Sequence, residues 1–168
     1  MSSTALDSPV DPLGADAVAE APTTRMGIAL LALVGVLVST YLMLHRLGYI
    51  GSLACGVDGG CSTVQSSEFA TFVGIPVPLV GLVGYGALMA VALASISPRW
   101  QDSRALAALL FGMAGVGFLF SAYLTALEAF VIHAWCRWCV ASAIIATLVF
   151  LLALAELPRL RRPNPRAP

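Results

Sequence analysis

The residues of this sequence with the clearest chemical potential are four cysteines arranged in two pairs. Cys55 and Cys61 lie six residues apart in a glycine-rich stretch, and Cys136 and Cys139 form a C-x-x-C motif. An even number of cysteines in a short chain is typical of structural disulfides, a metal site or a redox centre. Which of these chemistries applies depends on the compartment that the cysteines face, and therefore on the elements that carry them.

The composition of the chain indicates a membrane protein. Of its 168 residues, 59% are hydrophobic and only 11% are charged, and the mean hydropathy is +0.90. A soluble domain of this length needs a larger polar surface. The formal net charge is zero, which gives no sign of a nucleic-acid partner. The lipid bilayer is therefore the predicted environment.

Four apolar segments each approach the roughly 20 residues that a helix needs to cross a bilayer. The spans are predicted at about 26–44, 76–96, 105–131 and 138–157. The apolar stretch 105–157 is too long for one helix, so we expect it to fold back at Ile132–Arg137. The predicted fold is an all-α integral membrane four-helix bundle over residues 26–157. Its long, outward-facing first loop is expected to contain a short amphipathic interfacial helix over Ser62–Val73.

Both ends of the chain are predicted to lie outside this bundle. Residues 1–25 are rich in proline, alanine, serine and acids and have no apolar periodicity, which is typical of a disordered tail. They do not match the pattern of a secretory signal, so the first span is expected to be retained. Residues 158–168 form a basic, proline-rich tail that cannot continue a helix.

The placement of arginine predicts the orientation of the bundle. With both termini on one side of the membrane, that side holds seven of the nine basic residues, and the other side holds only Arg46 and Arg137. Basic residues accumulate in cytoplasmic loops, so both termini are predicted to be cytoplasmic. All four cysteines then lie on the periplasmic or extracellular side, where disulfides persist.

The position of the C-x-x-C motif favours a redox pair. At a helix start, the Cys136 sulfur lies near free backbone N–H groups and the positive end of the helix, which stabilise a thiolate. The spacing puts Cys136 and Cys139 on one helix face, and a bridge between them closes too short a loop to add much stability. Structural bridges and a zinc site built from the two pairs remain open, although we predict no metal.

Four residues near this motif are candidates for binding a flat, apolar cofactor such as a quinone. Trp135, Trp138 and His133 surround the cysteines at interface depth, and Glu128 precedes them by one to two helical turns. A quinone needs apolar walls, a polar donor and a reactive sulfur within reach. A carboxyl group at this depth is a candidate proton relay. An ordinary aromatic belt and a solvated surface acid are the alternatives for the tryptophans and for Glu128.

With these residues in view, the sequence resembles the bacterial vitamin K epoxide reductase family over about residues 26–157. The resemblance is carried by CGVDGGCSTVQSS from position 55, GIPVPLVGLVGYG from position 74 and YLTALEAFVIHAWCRWCVAS from position 123. It implies a four-helix bundle around a quinone, with Cys136 and Cys139 as the active-site pair. Cys139 would be the sulfur nearer the quinone, and Cys55 and Cys61 would form a shuttle in the first loop.

The resemblance also implies a function, namely a thiol-disulfide oxidoreductase that supports disulfide formation in exported proteins at the bacterial inner membrane. Electrons would pass from a thioredoxin-fold partner through Cys55 and Cys61 to Cys136, and from there to menaquinone or ubiquinone. Because the chain shows no fused thioredoxin-like domain before Pro168, the partner is expected to be a separate DsbA-type protein. The sequence does not determine which loop cysteine meets this partner first, and Cys61 is favoured. Two alternatives remain. One is a reductase of a vitamin K-type quinone or its epoxide, and the other is a non-catalytic membrane protein with structural or metal-binding cysteines.

Overall fold

Helices dominate the computed structural model of this protein, which describes residues 12–55, 59–100 and 103–157. The helices are α1 (Pro12–Arg46), α2 (Gly60–Ser66), α3 (Val77–Ile96), α4 (Arg104–Leu127) and α5 (Arg137–Ala155). A 3-10 turn at Glu68–Ala70 follows α2, and a π-helical turn at Glu128–Ile132 extends α4. Two short strands, β1 (Thr71–Phe72) and β2 (Ile75–Pro76), pair in antiparallel fashion between α2 and α3.

Four of these helices are long and apolar enough to cross a membrane. The candidate spans are Thr23–Arg46, Val77–Ile96, Arg104–Ile132 and Arg137–Ala155. Each approaches or exceeds the roughly 20 residues that a bilayer requires, and each begins and ends close to the position predicted from the sequence. The prediction of an all-α four-helix membrane bundle is therefore confirmed, and the protein is a multi-pass membrane protein.

Close helix packing in the bundle depends on glycine. Helix α1 packs against α3 and α5, and α4 packs against α5 and α3. A Cβ atom at Gly35 of α1 would lie 2.5 Å from the ring of Tyr85, and one at Gly81 of α3 would lie 2.7 Å from the hydroxyl of Ser39. Small residues at such crossings let helices approach closely inside a bilayer. The two glycines therefore fix how α1 and α3 pack.

A buried ion pair closes the end of the bundle at which α3 and α5 terminate. Arg25 Nε donates to Glu156 Oε2 at 3.1 Å, and the other side of the guanidinium donates to the Ser95 main-chain carbonyl at 2.7 Å. Both charged side chains are about 95% buried. A buried charge is tolerated when it is paired and hydrogen-bonded, and here the pair joins α1, α3 and the chain just after α5.

The start of α1 differs from the sequence prediction. Residues 12–25, which were expected to belong to a disordered tail, continue the helix of the first span toward Pro12. Their alanine content favours helix, and Pro12 lies in the first helical turn, where proline is well tolerated. Pro22 lies inside the helix, where proline disfavours helix, and nothing in the structure explains it. Residues 1–11 and the predicted basic tail 158–168 lie outside the described residues.

The first loop also differs from the prediction, because its helix is shorter and earlier than the expected Ser62–Val73. Helix α2 ends at Ser66, where Ser67 turns extended and its hydroxyl donates to the Val64 carbonyl at 2.7 Å. Serine side chains of this kind compete with helical hydrogen bonding. A hairpin follows, and its two turn residues, Val73 and Gly74, both have positive φ, at 51° and 78°, as the tight turns of two-residue hairpins require.

Candidate active site

The C-x-x-C motif lies where α5 begins. Cys136 is the residue before the first helical turn and has an extended backbone, and its sulfur accepts a hydrogen bond from the Cys139 N–H at 3.4 Å. The Cys136 N–H in turn donates to Glu128 Oε2 at 3.1 Å. Cys136 and Cys139 are both thiols. Two hydrogen bonds therefore hold Cys136 in place. The Cys139 N–H donates to its sulfur, and the Glu128 carboxylate accepts from its backbone N–H.

The electrostatic environment of Cys136 favours a thiolate. The Cys139 side chain hydrogen bonds to the Cys136 sulfur and holds the pKa of the Cys136 thiol below its ordinary value. Burial and the nearby Glu128 carboxylate oppose this effect but do not outweigh it. Since the thiolate is the reactive form in disulfide exchange, Cys136 is poised to react or to depart as a leaving group.

Glu128 reaches this site because α4 widens into a π-helical turn. The turn runs from Glu128 to Ile132 and ends at His133, which has a positive φ of 54° and whose N–H donates to the Glu128 carbonyl. Turns of this type often occur at functional sites. The Glu128 residue is 3% exposed, so it is not the solvated surface acid that the sequence left open.

The loop disulfide packs directly against the C-x-x-C motif. Cys55 and Cys61 are joined by a disulfide, and Cys61, Val64 and Cys136 are buried in one cluster. Cys61 is 1% exposed and Cys136 is 0% exposed, whereas Cys55 is half-buried. The two cysteine pairs therefore meet at the end of the bundle opposite the ion pair.

A large cavity lies inside the bundle beside these cysteines. Its volume is about 770 Å³, within the usual range for small-molecule sites. Side chains of α1, α3, α4 and α5 line it, most of them apolar. Phe72 of β1 reaches the wall and packs edge-on against Phe120, with the ring centroids 5.4 Å apart. The polar groups of the wall include Gln65, Tyr85, Ser121, Glu128, Cys139 and Ser142.

A sequence model of the vitamin K epoxide reductase family matches residues 26–154. The match covers the four spans almost completely and includes both cysteine pairs. The chain belongs to the vitamin K epoxide reductase family. It is therefore a membrane oxidoreductase, and members of this family generally use a quinone and work with a thioredoxin-fold partner.

Four residues near the C-x-x-C motif were candidates for cofactor binding, and the structure of this vitamin K epoxide reductase family protein differs in how it places them relative to the cavity. Glu128 lines the cavity. Trp135 is 55% exposed and His133 is exposed, and neither belongs to the described cavity wall. Trp138 packs against Tyr41 with the ring centroids 4.8 Å apart. Its Nε1 atom is buried and, within the described part of the chain, has no hydrogen-bond partner. A role for these three residues in cofactor binding stays a prediction.

Sequence reasoning missed the hydroxyl groups of the cavity wall. Tyr85 and Ser142 are 57 positions apart in the chain, yet their hydroxyl oxygens lie 3.0 Å apart. One signal was available for Ser142, because it follows Cys139 by three positions and so shares its helix face. Tyr85 gave no comparable signal, since its position opposite Ser142 depends on how α3 packs against the rest of the bundle.

Glu128 and the two cysteines of the C-x-x-C motif form a group that could hold a metal ion. One ligand atom each from Glu128, Cys136 and Cys139 lies within 4.8 Å of the others, and zinc accepts both thiolate and carboxylate ligands. Cys55 and Cys61 are bonded to each other, so the four-cysteine zinc site considered from the sequence is not formed here. A metal-binding role would therefore rest on two thiols and one carboxylate.

Proposed function

We propose that this protein oxidises a separate DsbA-type thioredoxin-fold partner and passes the electrons to a membrane quinone, supporting disulfide formation in exported proteins. The proposal rests on one observation. The loop disulfide packs on Cys136, while the neighbouring Cys139 lines the internal cavity. The two cysteine pairs thus form a continuous route from the surface loop to the cavity.

The cavity suits menaquinone or ubiquinone. Its volume of about 770 Å³ and its mostly apolar wall fit a flat ring with an apolar tail. Its few polar groups include Cys139, a thiol that can supply electrons for quinone reduction, and Glu128, a carboxyl group that can carry a proton. When bound, a quinone supplies a sink for two electrons and two protons.

The first step takes place at the loop disulfide. A thiolate of the reduced partner attacks Cys55, and Cys61 leaves as a thiolate. We assign the attack to Cys55 because it is half-buried, whereas Cys61 is 1% exposed and packs against Cys136. The sequence left this order open and favoured Cys61, so the proposed order differs from the one that the sequence favoured.

The second step transfers the electrons to the C-x-x-C motif. The Cys61 thiolate attacks Cys136 of an oxidised Cys136–Cys139 pair, and Cys139 is released at the cavity wall as a thiolate, which takes up a proton given up by the partner thiols. The second thiol of the partner displaces Cys55 from the mixed disulfide, which completes oxidation of the partner. Cys55 then attacks Cys61 and restores the loop disulfide. Cys136 is a good leaving group in this exchange, because its pKa is lowered.

The third step returns the motif to its disulfide form. Cys136 and Cys139 bond to each other again and give up two electrons and two protons, which a quinone held in the cavity beside Cys139 would accept. Glu128, which is buried at the cavity wall and holds the Cys136 N–H, is placed to accept a thiol proton and release it into the cavity. The net reaction oxidises one partner dithiol and reduces one quinone to its quinol.

Redox potentials set the direction of electron transfer, and the orientation of the bundle sets the side of the membrane on which the partner is oxidised. DsbA-type proteins are strong oxidants, with a reduction potential near −120 mV, so their reoxidation needs a more positive acceptor. Ubiquinone meets this condition more easily than menaquinone, which depends on removal of the quinol. The arginine distribution supports an orientation with both termini in the cytoplasm and the cysteines on the outer face of the bacterial inner membrane.

The decisive test is quinone reduction by the purified protein in detergent, with a reduced DsbA-type protein as donor. Wild type should turn over, and alanine at Cys55, Cys61, Cys136 or Cys139 should abolish turnover. Ser52→Ala, a change at an exposed position of the same loop, serves as a control that keeps activity. Full activity of Cys139→Ala, or no turnover by well-folded wild type with any quinone, would refute the proposal.

A second candidate function uses the same residues. The cavity that admits a quinone ring also admits the epoxide of a vitamin K-type quinone, with Cys139 on the wall as reductant. Supplying the epoxide and a small dithiol to the purified protein separates the two functions. Formation of the quinone from the epoxide at a rate similar to that of quinone reduction would favour the epoxide reductase.

A further inference from the structure

One polar pair in the cavity wall has no part in the thiol chemistry. Tyr85 of α3 donates a hydrogen bond to the main-chain carbonyl of Ser142 of α5 at 2.8 Å. The same phenol oxygen lies 3.0 Å from the Ser142 hydroxyl oxygen, and both residues line the cavity. In a mostly apolar pocket, a few polar groups of this kind orient the ligand.

Of the two hydroxyl protons in the Tyr85–Ser142 pair, one is available to a ligand. Tyr85 has a single hydroxyl proton, which it gives to the Ser142 carbonyl. Ser142 also has one hydroxyl proton, which can point to the Tyr85 oxygen or into the cavity. A carbonyl oxygen of a bound molecule can therefore accept the Ser142 proton while Tyr85 keeps its bond to the backbone.

The position of Ser142 along α5 relates this donor to the reactive sulfur. Ser142 follows Cys139 by three positions, so the two side chains share one helix face and are separated by about 4.5 Å of helix rise. Both line the cavity. A ring aligned along α5 with one carbonyl at Ser142 would bring its opposite carbonyl, in the para position, near Cys139.

Tight packing holds Tyr85 in place. The residue is 7% exposed, and a Cβ atom at Gly35 would lie 2.5 Å from its ring. Glycine at this position lets α1 close over the ring. Tyr85 therefore has little freedom to move away from Ser142.

We propose that the Ser142 hydroxyl donates a hydrogen bond to one carbonyl oxygen of a para-quinone, with Tyr85 as the positioning residue that orients Ser142. The proposal rests on the proposed function and specifies how the quinone ring is held relative to Cys139. Ser142 is a binding residue in this scheme, and the thiol exchange between the cysteines does not depend on it.

The test is binding of a short-chain ubiquinone, labelled with carbon-13 at one carbonyl, to the oxidised full-length protein, which has no electrons to give. Ser142→Ala should raise the dissociation constant about three- to tenfold and move the infrared carbonyl stretch of the bound quinone to higher frequency. Ser142→Thr, which keeps the hydroxyl, should behave like wild type. Thr147→Val removes a hydroxyl of the same helix that donates to the Ala143 carbonyl and does not belong to the described cavity wall, so it should change neither the dissociation constant nor the carbonyl stretch.

Tyr85→Phe provides an independent variant, because it keeps the packed ring. It should weaken binding, and the Tyr85→Phe/Ser142→Ala double variant should bind no more weakly than Ser142→Ala alone. If Ser142→Ala leaves both the dissociation constant and the carbonyl stretch unchanged while wild type reduces quinone, the inference is wrong and the proposed function stands. If wild type binds no quinone, both are wrong.

Discussion

The backbone of Gly60 lies directly against the main-chain carbonyl of Trp135. A Cβ atom at Gly60 would be 2.5 Å from the Trp135 carbonyl oxygen, which is closer than real Cβ atoms approach backbone oxygen. The contact joins the first turn of α2 to the segment just before Cys136. It therefore sets how closely Cys61, the next residue of α2, approaches the C-x-x-C motif.

Gly60→Ala is expected to separate the two cysteine pairs without removing any sulfur. Because backbone faces backbone, α2 must move away from Trp135, and a displacement of about 1 Å can lower a rate up to about 100-fold. Quinone reduction with the protein partner as donor should fall. Reduction with a small dithiol that reaches Cys139 from the cavity should persist.

The matched control for this change is Gly51→Ala. Gly51 lies in the same loop, and a Cβ atom there would meet nothing within 4 Å. Both donor assays should therefore stay close to wild type in Gly51→Ala. Equal turnover of Gly60→Ala and wild type with the partner protein would show that this contact does not control exchange.

The order of attack at the loop disulfide predicts which intermediates accumulate. Cys55→Ala leaves Cys61 without the thiol that resolves it, so a Cys61–Cys136 disulfide should build up. Cys61→Ala leaves Cys55 as a free thiol, so it should instead trap the partner when a partner that lacks its second cysteine is supplied as a mixed disulfide with a small aromatic thiol. Cys55 attacks the partner sulfur, the small thiol leaves, and a mixed disulfide between Cys55 and the partner accumulates. Mass spectrometry of peptides prepared without reductant identifies each species. Accumulation of a Cys55–Cys136 bond in Cys61→Ala would support the opposite order.

The helices were predictable from the sequence because their signal is local. An apolar stretch of bilayer length defines a span by itself, and the fold-back expected at Ile132–Arg137 puts the C-x-x-C motif at the start of the fourth span. Contacts between distant segments left no such signal. The docking of Cys61 on Cys136 depends on a helix that begins at Gly60 rather than Ser62, and the burial of Glu128 depends on a π-helical turn.

Titration of Cys136 should show a pKa below about 8.5, the ordinary value for a free cysteine. The Cys139 side chain lowers this pKa by hydrogen bonding to the Cys136 sulfur, so Cys139→Ala should raise it. Between the two midpoints, Cys136 is mainly thiolate in wild type and mainly thiol in the variant. The ultraviolet absorbance of thiolate, measured with the loop disulfide intact and with Cys136→Ala as blank, gives both midpoints. Equal midpoints would contradict the assignment.

Glu128→Gln should impair the proton transfer that accompanies quinone reduction. The amide can still accept the Cys136 N–H, but it cannot carry a proton, so kcat should fall about 100-fold with little change in the KM for quinone. Glu128→Ala also loses the acceptor for the Cys136 N–H and should lower the free energy of unfolding by about 1–3 kcal/mol. Glu68→Gln alters an exposed acid of the first loop and should change neither kcat nor the free energy of unfolding. If Glu128→Gln keeps the wild-type kcat, Glu128 does not carry the proton.

The ion pair at the other end of the bundle should affect stability and not the reaction. Glu156→Ala removes the carboxylate that neutralises the buried Arg25, so the free energy of unfolding in detergent should fall by about 3–5 kcal/mol. The double variant Arg25→Met/Glu156→Leu removes both charges and should recover most of this loss, since burying a charge is itself costly. Arg99→Ala, at an exposed position of the same end, should be nearly neutral. Quinone reduction per folded molecule should stay at the wild-type level in all three. A loss in turnover at unchanged stability would instead couple this end of the bundle to the cysteines.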